Sequence, residues 1–228
     1  MDPAARWLAE RLGVEFSDPG LLARALTHRS HGGANNERLE YLGDAVLSFV
    51  VAEMLFRRYP DASEGELSRF RASLVSGETL AAVAGQLELG PQLRLGDGET
   101  KSGGQRRATI LADGFEAVFG AVYLDQGLDA ARRVAERVFH RLLTDLPSAA
   151  ELKDPKTRLQ EWLQGRGQAP PTYTVLEVSG EPHDQRFRVR CELPGLALAA
   201  EADGSSRRRA EQEAAQRILG DPALKSPG

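Results

Sequence analysis

The stretch NNERLEYLGDAVLSFVVAEMLFRRYP, residues 35–60, decides how the first part of this chain folds. At about 100° per residue, Glu37, Glu40 and Asp44 fall within an arc of about 60° on one helix. Leu39, Leu42, Val46, Phe49 and Val50 lie on the opposite side. Leu47, Val51 and Leu55 then continue the acidic side as apolar residues. A helix that is apolar nearly all round belongs at the centre of a domain. Three acids at helical spacing ordinarily form a solvated face. Here no Lys or Arg stands one turn away within the arc to offset their repulsion. Carboxylates beside a buried helix are costly unless a cation neutralises them.

A second segment repeats the pattern. In ATILADGFEAVFGAVYLD, residues 108–125, Asp113 and Glu116 sit three apart in a run otherwise made of small and apolar residues. A surface pair is the ordinary alternative, but such a helix leaves little surface for one. Glu64 opens the helix EGELSRFRASLV; a first-turn acid favoured by the helix dipole explains it equally well. Carboxylates from two helices, with few His and no Cys beside them, favour a hard oxygen-binding cation such as Mg²⁺ or Mn²⁺ over zinc. No Ser-His-Asp grouping is present, and His28 and His31 read as local structural residues.

Outward from these segments, apolar periodicity predicts helices over 3–12, 19–27, 36–59, 64–87, 107–125 and 128–143. Ser17-Asp18-Pro19 and Asp61-Ala62-Ser63-Glu64 read as helix entries. The polar stretch 96–104, GDGETKSGG, reads as a mobile loop. Residues 1–146 thus form an all-helical domain, and 147–153 a linker. Beyond it the character changes. Asp154 and Pro155 start a helix to Gly165, and strand-like spacing follows over 173–178, 186–192 and 197–201. A last helix runs from Ser205-Ser206 to about Leu219. The order α-β-β-β-α over 154–222 is a small α+β domain, with 223–228 expected to be a disordered tail. The chain is therefore multi-domain: all-α, then α+β.

The net charge is −4, which argues against a uniformly basic nucleic-acid binder. Residues 1–150 hold 17 Lys+Arg against 21 Asp+Glu, and residues 151–228 hold 12 of each. Any nucleic-acid binding would have to come from a few placed arginines. Arg207, Arg208 and Arg209 stand at the start of the last helix, where free N–H groups favour anions; a solvated basic turn is the plainer reading. No apolar run reaches the roughly 18 residues of a spanning helix, and the N-terminus lacks the apolar core of a signal peptide. Cys191 is the only cysteine, which suits a reducing cytoplasm. The sequence carries no signal for a membrane or a small-molecule cofactor.

The twelve residues NERLEYLGDAVL, 36–47, resemble the signature of the ribonuclease III family. The resemblance extends through THRS (27–30), SEGELSRFRASLV (63–75) and LADGFEAVFGAVYLD (111–125). It implies that Glu37, Glu40, Asp44, Glu64, Asp113 and Glu116 are the family's catalytic acids. Glu40, Asp44, Asp113 and Glu116 would bind Mg²⁺, with Mn²⁺ able to substitute, while Glu37 and Glu64 would assist through substrate and water. The implied reaction hydrolyses double-stranded RNA to 5′-phosphate and 3′-hydroxyl ends with short 3′ overhangs. It would act on rRNA precursors and structured mRNAs in the cytoplasm. The resemblance also implies a homodimer, in which the ring of Tyr41 enters a socket on the partner.

DPKTRLQEWLQ, PTYTVLEVSGEPHDQRFRVRCELPG and GSSRRRAEQEAAQRILG resemble a double-stranded-RNA-binding domain. By that resemblance Thr157, Gln160 and Glu161 on the first helix, His183 in a loop, and Arg207, Arg208 and Arg209 contact the duplex. Such domains read A-form shape more than sequence. Trp162, Tyr173 and Phe187 are assigned to the core. Glu211 departs from the pattern, standing where many such domains place another Lys. Two other readings are a catalytically inert duplex-binding regulator and an unrelated helical phosphohydrolase. The presence of all six acids disfavours the first, and the C-terminal module disfavours the second.

Overall fold

The computed structural model describes residues 3–148, 151–181 and 184–225, with the side chain of Lys225 left out. His183 lies outside the described residues. The chain divides into two compact units, residues 1–149 and 150–228.

The first unit is helical: α1 (Pro3–Leu12), α2 (Pro19–Ala25), α3 (Glu37–Arg58), α4 (Glu64–Leu74), α5 (Gly77–Gln86), α6 (Asp97–Lys101) and α7 (Ala108–Thr144). Local chemistry sets the helix starts. Asp18 accepts from the Gly20 N–H at 2.8 Å to cap α2. Asp18 and Ser17 in turn donate their own N–H groups to Asp125 of α7, each at 2.9 Å. Ser63 and Glu66 form a reciprocal capping box at the start of α4. The predicted helix 64–87 is two helices, because Ser76 turns the chain and caps α5 by accepting from the Thr79 N–H.

The predicted loop 96–104 is instead ordered into α6 and a following 3₁₀ turn. Its glycines permit the turns, and a 2.7 Å ion pair from Arg107 to Glu99 ties it to the start of α7. The two predicted helices 107–125 and 128–143 run on as α7, with Gly127 (φ 78°) breaking the helical backbone between them.

The centre of the unit is the packing of α3 on α7. Leu39, Leu47, Val50, Val51 and Leu55 of α3 are buried, as are Phe115, Phe119 and Phe139 of α7. Arg132 of α7 holds Glu53 of α3 with a 2.7 Å Nε–Oε2 contact. Not all of the apolar stripe of α3 is used: Phe49 remains 53% exposed, and Phe56 70%. Among the described residues, no helix is long and apolar enough to cross a membrane.

The second unit runs α8 (Pro155–Gln164), β1 (Thr172–Ser179), β2 (Arg186–Leu193), β3 (Leu198–Gly204), α9 (Arg207–Gly220) and α10 (Pro222–Lys225). The strands form an antiparallel sheet in the order β1-β2-β3, pairing Tyr173 with Cys191 and Cys191 with Ala200. Leu159 and Leu163 of α8, Cys191 and Leu193 of β2, and Ala214, Ala215 and Ile218 of α9 make the core, with Trp162 and Tyr173 packed against it. Phe187 is half-buried outside that cluster. The expected disordered tail begins too early: Leu224 of α10 is buried in this core, which holds residues 222–225 as a helical turn.

Candidate metal centre and nucleic-acid interface

Two glycines let the acids meet. A Cβ built on Gly43 would lie 1.8 Å from the Glu116 carbonyl oxygen, and one on Gly120 would lie 2.4 Å from that of Leu39. Only hydrogen fits at these positions, so α3 and α7 cross backbone to backbone. Glu40 and Asp44 stand one position or one turn from Gly43, and Glu116 is one turn before Gly120. The crossing therefore presents the acids of both helices to the same space.

Glu40, Asp113 and Glu116 each offer an oxygen within 4.8 Å of the other two, and all three are half-buried. Burial pushes the Glu116 carboxyl up to about 7, with Asp44, Asp113 and Glu40 adding repulsion. Burial also raises Glu40, reinforced by Asp113, Glu37 and Asp44 against a partial offset from Arg29. Asp113 is raised by burial too, opposed by His28 and Arg29. Half-buried carboxylates that repel one another fit a divalent cation, which would replace the repulsion with attraction.

Asp44 is more exposed and lies just outside the three-acid group, although its charge reaches both Glu40 and Glu116. Glu37 lines a cavity of about 190 Å³ with His28, Arg29, Asn36, Glu40 and Asp113. It accepts from Asn35 at 3.2 Å and faces Arg29 at 3.7 Å. Glu64 is not among the gathered acids; it opens α4, where it accepts from the Ser68 hydroxyl at 2.9 Å.

His28 shapes the cavity without holding the centre. Its Nδ1 accepts from the Ser30 N–H at 3.2 Å and meets the Ser30 hydroxyl at 2.8 Å, capping a short turn. His31 contacts the Leu95 carbonyl. Sequence reading passed over Asn36, which is 2% exposed and donates its backbone N–H to the Thr27 carbonyl at the mouth of α3. It also passed over Gly43 and Gly120.

Tyr41 is 83% exposed, so it does not pack on its own chain. At helical spacing it shares a face with Phe49 and Phe56 of α3, which are also exposed.

In the second unit, Thr157, Gln160 and Glu161 lie exposed on α8, opposite the buried Leu159 and Leu163. Glu161 is paired with Lys153. Arg207, Arg208 and Arg209 are exposed in the first turn of α9, which Ser206 caps by accepting from the Arg209 N–H. An open groove of about 930 Å³ runs beside them, lined by Asp154, Arg209, Gln212 and Arg217 among others.

Comparison with known proteins accords with this division. Residues 18–143 match the family model described as ribonuclease-III-like, and residues 155–220 match the double-stranded RNA binding motif. The class is thus a ribonuclease joined to a duplex-binding module. Ribonuclease 3 of Alkalilimnicola ehrlichii is 57% identical over 212 residues, covering 93% of each chain. The solved nuclease domain of ribonuclease III from Campylobacter jejuni aligns with a TM-score of 0.59 at 40% identity, covering 65% of this chain and 99% of that one. A second structure of that domain, described for structural flexibility in a region involved in dimer formation, aligns with a TM-score of 0.58 at 42% identity, covering 59% and 95%. The chain belongs to the ribonuclease III family, endoribonucleases that act on double-stranded RNA.

Proposed function

We propose that this chain is a Mg²⁺-dependent, homodimeric endoribonuclease that cuts double-stranded RNA to leave 5′-phosphate and 3′-hydroxyl ends with short 3′ overhangs. The observation that carries this reading is the convergence of Glu40, Asp113 and Glu116 where α3 crosses α7. These three hold the cation, and Asp44 completes the set beside them. A divalent cation held there would supply an activated water and neutralise charge on the scissile phosphate. Glu116, raised to about 7, would give up its remaining proton on binding the cation. Glu37 and Glu64 orient water and substrate. Mn²⁺ substitutes for Mg²⁺ because both are hard cations suited to carboxylate oxygen.

Two copies act together, one on each strand. The exposed face of Tyr41, Phe49 and Phe56 supports that arrangement, because large apolar side chains on one helix face mark an interaction surface. Tyr41 enters the partner subunit there. Thr157, Gln160, Glu161 and His183 meet the minor grooves, and Arg207, Arg208 and Arg209 meet the phosphates between them. The module runs from 154 through α10, after a linker at 147–153. The substrates are rRNA precursors and structured mRNAs, met in the cytoplasm.

The test is incubation of the purified chain with end-labelled duplex RNA in Mg²⁺, in Mn²⁺ and in EDTA, with the new ends mapped. Cleavage in either metal, none in EDTA, and staggered cuts bearing 5′-phosphates are expected. Duplex bound but intact in every metal would leave an inert duplex-binding protein instead.

A further inference from the structure

Glu211 is an acid in the first turns of the helix that presents three arginines, and it is only 7% exposed. An acid facing phosphate would oppose binding. Its charge is, however, fully used inside the module. One carboxylate oxygen takes Lys156 Nζ of α8, and the other takes Arg207 Nε of α9 at 2.8 Å. Burial pushes its carboxyl up, but the hydrogen bonds from Lys156 and Arg207 overcome this and hold it below the usual range. Glu211 thus remains charged, and the three side chains together keep one net positive charge.

Lys156 is itself fixed, with its ammonium 4.6 Å from the centre of the Tyr173 ring. A second stitch runs alongside. Asp154 caps α8 by accepting from the Lys156 N–H at 2.9 Å, and its other oxygen accepts from Gln212 of α9 at 2.8 Å. The same oxygen faces Arg208 at 3.7 Å. The helix bearing Thr157, Gln160 and Glu161 is therefore pinned to the first two turns of the helix bearing the arginines. Arg207 is 65% exposed and bound at Nε; among the described residues its Nη groups have no partner, so they can meet an outside acceptor.

Ion pairs, exposed or buried, contribute little net stability compared with apolar packing, so a role in setting geometry is the better account of this cluster, in which only Glu211 is buried. We infer that Glu211 is a positioning residue for duplex binding: it fixes Arg207 and the spacing of α8 from α9, so that groove and phosphate contacts form together. The inference rests on the reading that this module grips double-stranded RNA.

The test measures duplex RNA affinity of the full chain in EDTA, across a salt series, for Glu211→Gln, Arg207→Ala and the double variant. Glu211→Gln is expected to weaken binding about tenfold and to flatten the slope of log Kd against log salt by about one phosphate contact. In the Arg207→Ala background it should cost clearly less than in the parent chain, because the part of its effect that runs through Arg207 is already gone. Glu211→Lys adds a cation and should still bind more weakly than the parent chain. If Glu211→Gln loses the folded module on melting, Glu211→Asp makes the same comparison, since its shorter reach cannot span both partners. Unchanged or tighter binding by these variants, or losses that simply add to that of Arg207→Ala, would overturn the inference. A parent chain that fails to retain duplex at all would instead remove the underlying reading of the module.

Discussion

Gly43 and Gly120 touch where α3 crosses α7: a Cβ on Gly120 would lie 2.9 Å from the Gly43 nitrogen, and one on Gly43 3.0 Å from the Gly120 nitrogen. The acids on either side owe their convergence to this contact. Glu40 on one helix and Asp113 and Glu116 on the other bring carboxylate oxygens within 4.8 Å of one another because no side chain separates the backbones.

Gly43→Ala is therefore expected to damage the site and the fold together. Alanine improves helix propensity by about 1 kcal/mol over glycine. The methyl collides with the Glu116 carbonyl, and overpacking of this kind costs about 1–3 kcal/mol or more. A net drop in melting temperature with loss of Mg²⁺-dependent cleavage is expected; a variant as stable and active as the parent would show that the helices need not be so close.

Glu116→Gln should stabilise the metal-free protein at alkaline pH. The carboxyl is raised from 4.5 to about 7 on folding. A raised pKa favours the folded state below the unfolded value, and that advantage is lost as pH climbs through about 7. Glutamine does not titrate. Melting in EDTA should give similar stabilities near pH 4.5 and an advantage of order 2 kcal/mol for the variant at pH 8. A constant difference across that range would contradict the origin given for the shift.

Cation affinity should rise with pH for the same reason. Loading the site would expel the proton held by Glu116, so Mg²⁺ or Mn²⁺ binding should strengthen between about pH 6 and 8 and release protons. Calorimetry in buffers of different ionisation enthalpy checks this. Binding that is flat with pH and releases no proton would place the cation elsewhere.

Tyr41→Arg should convert a dimer to monomers in sedimentation. It places a charge in a face that already exposes Phe49 and Phe56, and an unpaired charge opposes burial there. An unchanged dimer would remove Tyr41 from the interface.

The central helices and their acids were legible because burial and carboxylate placement both follow the helical period. Capping residues such as Asp18 and Ser63 were legible for a local reason, since a cap acts within three residues. The crossing was not legible: what Gly43 permits depends on Gly120, 77 positions away in the chain. The break at Ser76 was hidden by apolar periodicity that continues through it. The helical turn at 97–101 was hidden by a glycine-rich composition, while Arg107, beyond it in the chain, holds it in place. Glu211 looked like a missing cation because sequence shows its sign but not the two cations around it.

The most direct measurement is a side-by-side comparison of duplex binding and cleavage by the parent chain and Glu116→Gln in Mg²⁺. The expected result is equal duplex affinity, cleavage by the parent alone, and none by either protein in EDTA. Cleavage by Glu116→Gln at the parent's rate would contradict the account, because the acids at the α3–α7 crossing would then not be where RNA is cut.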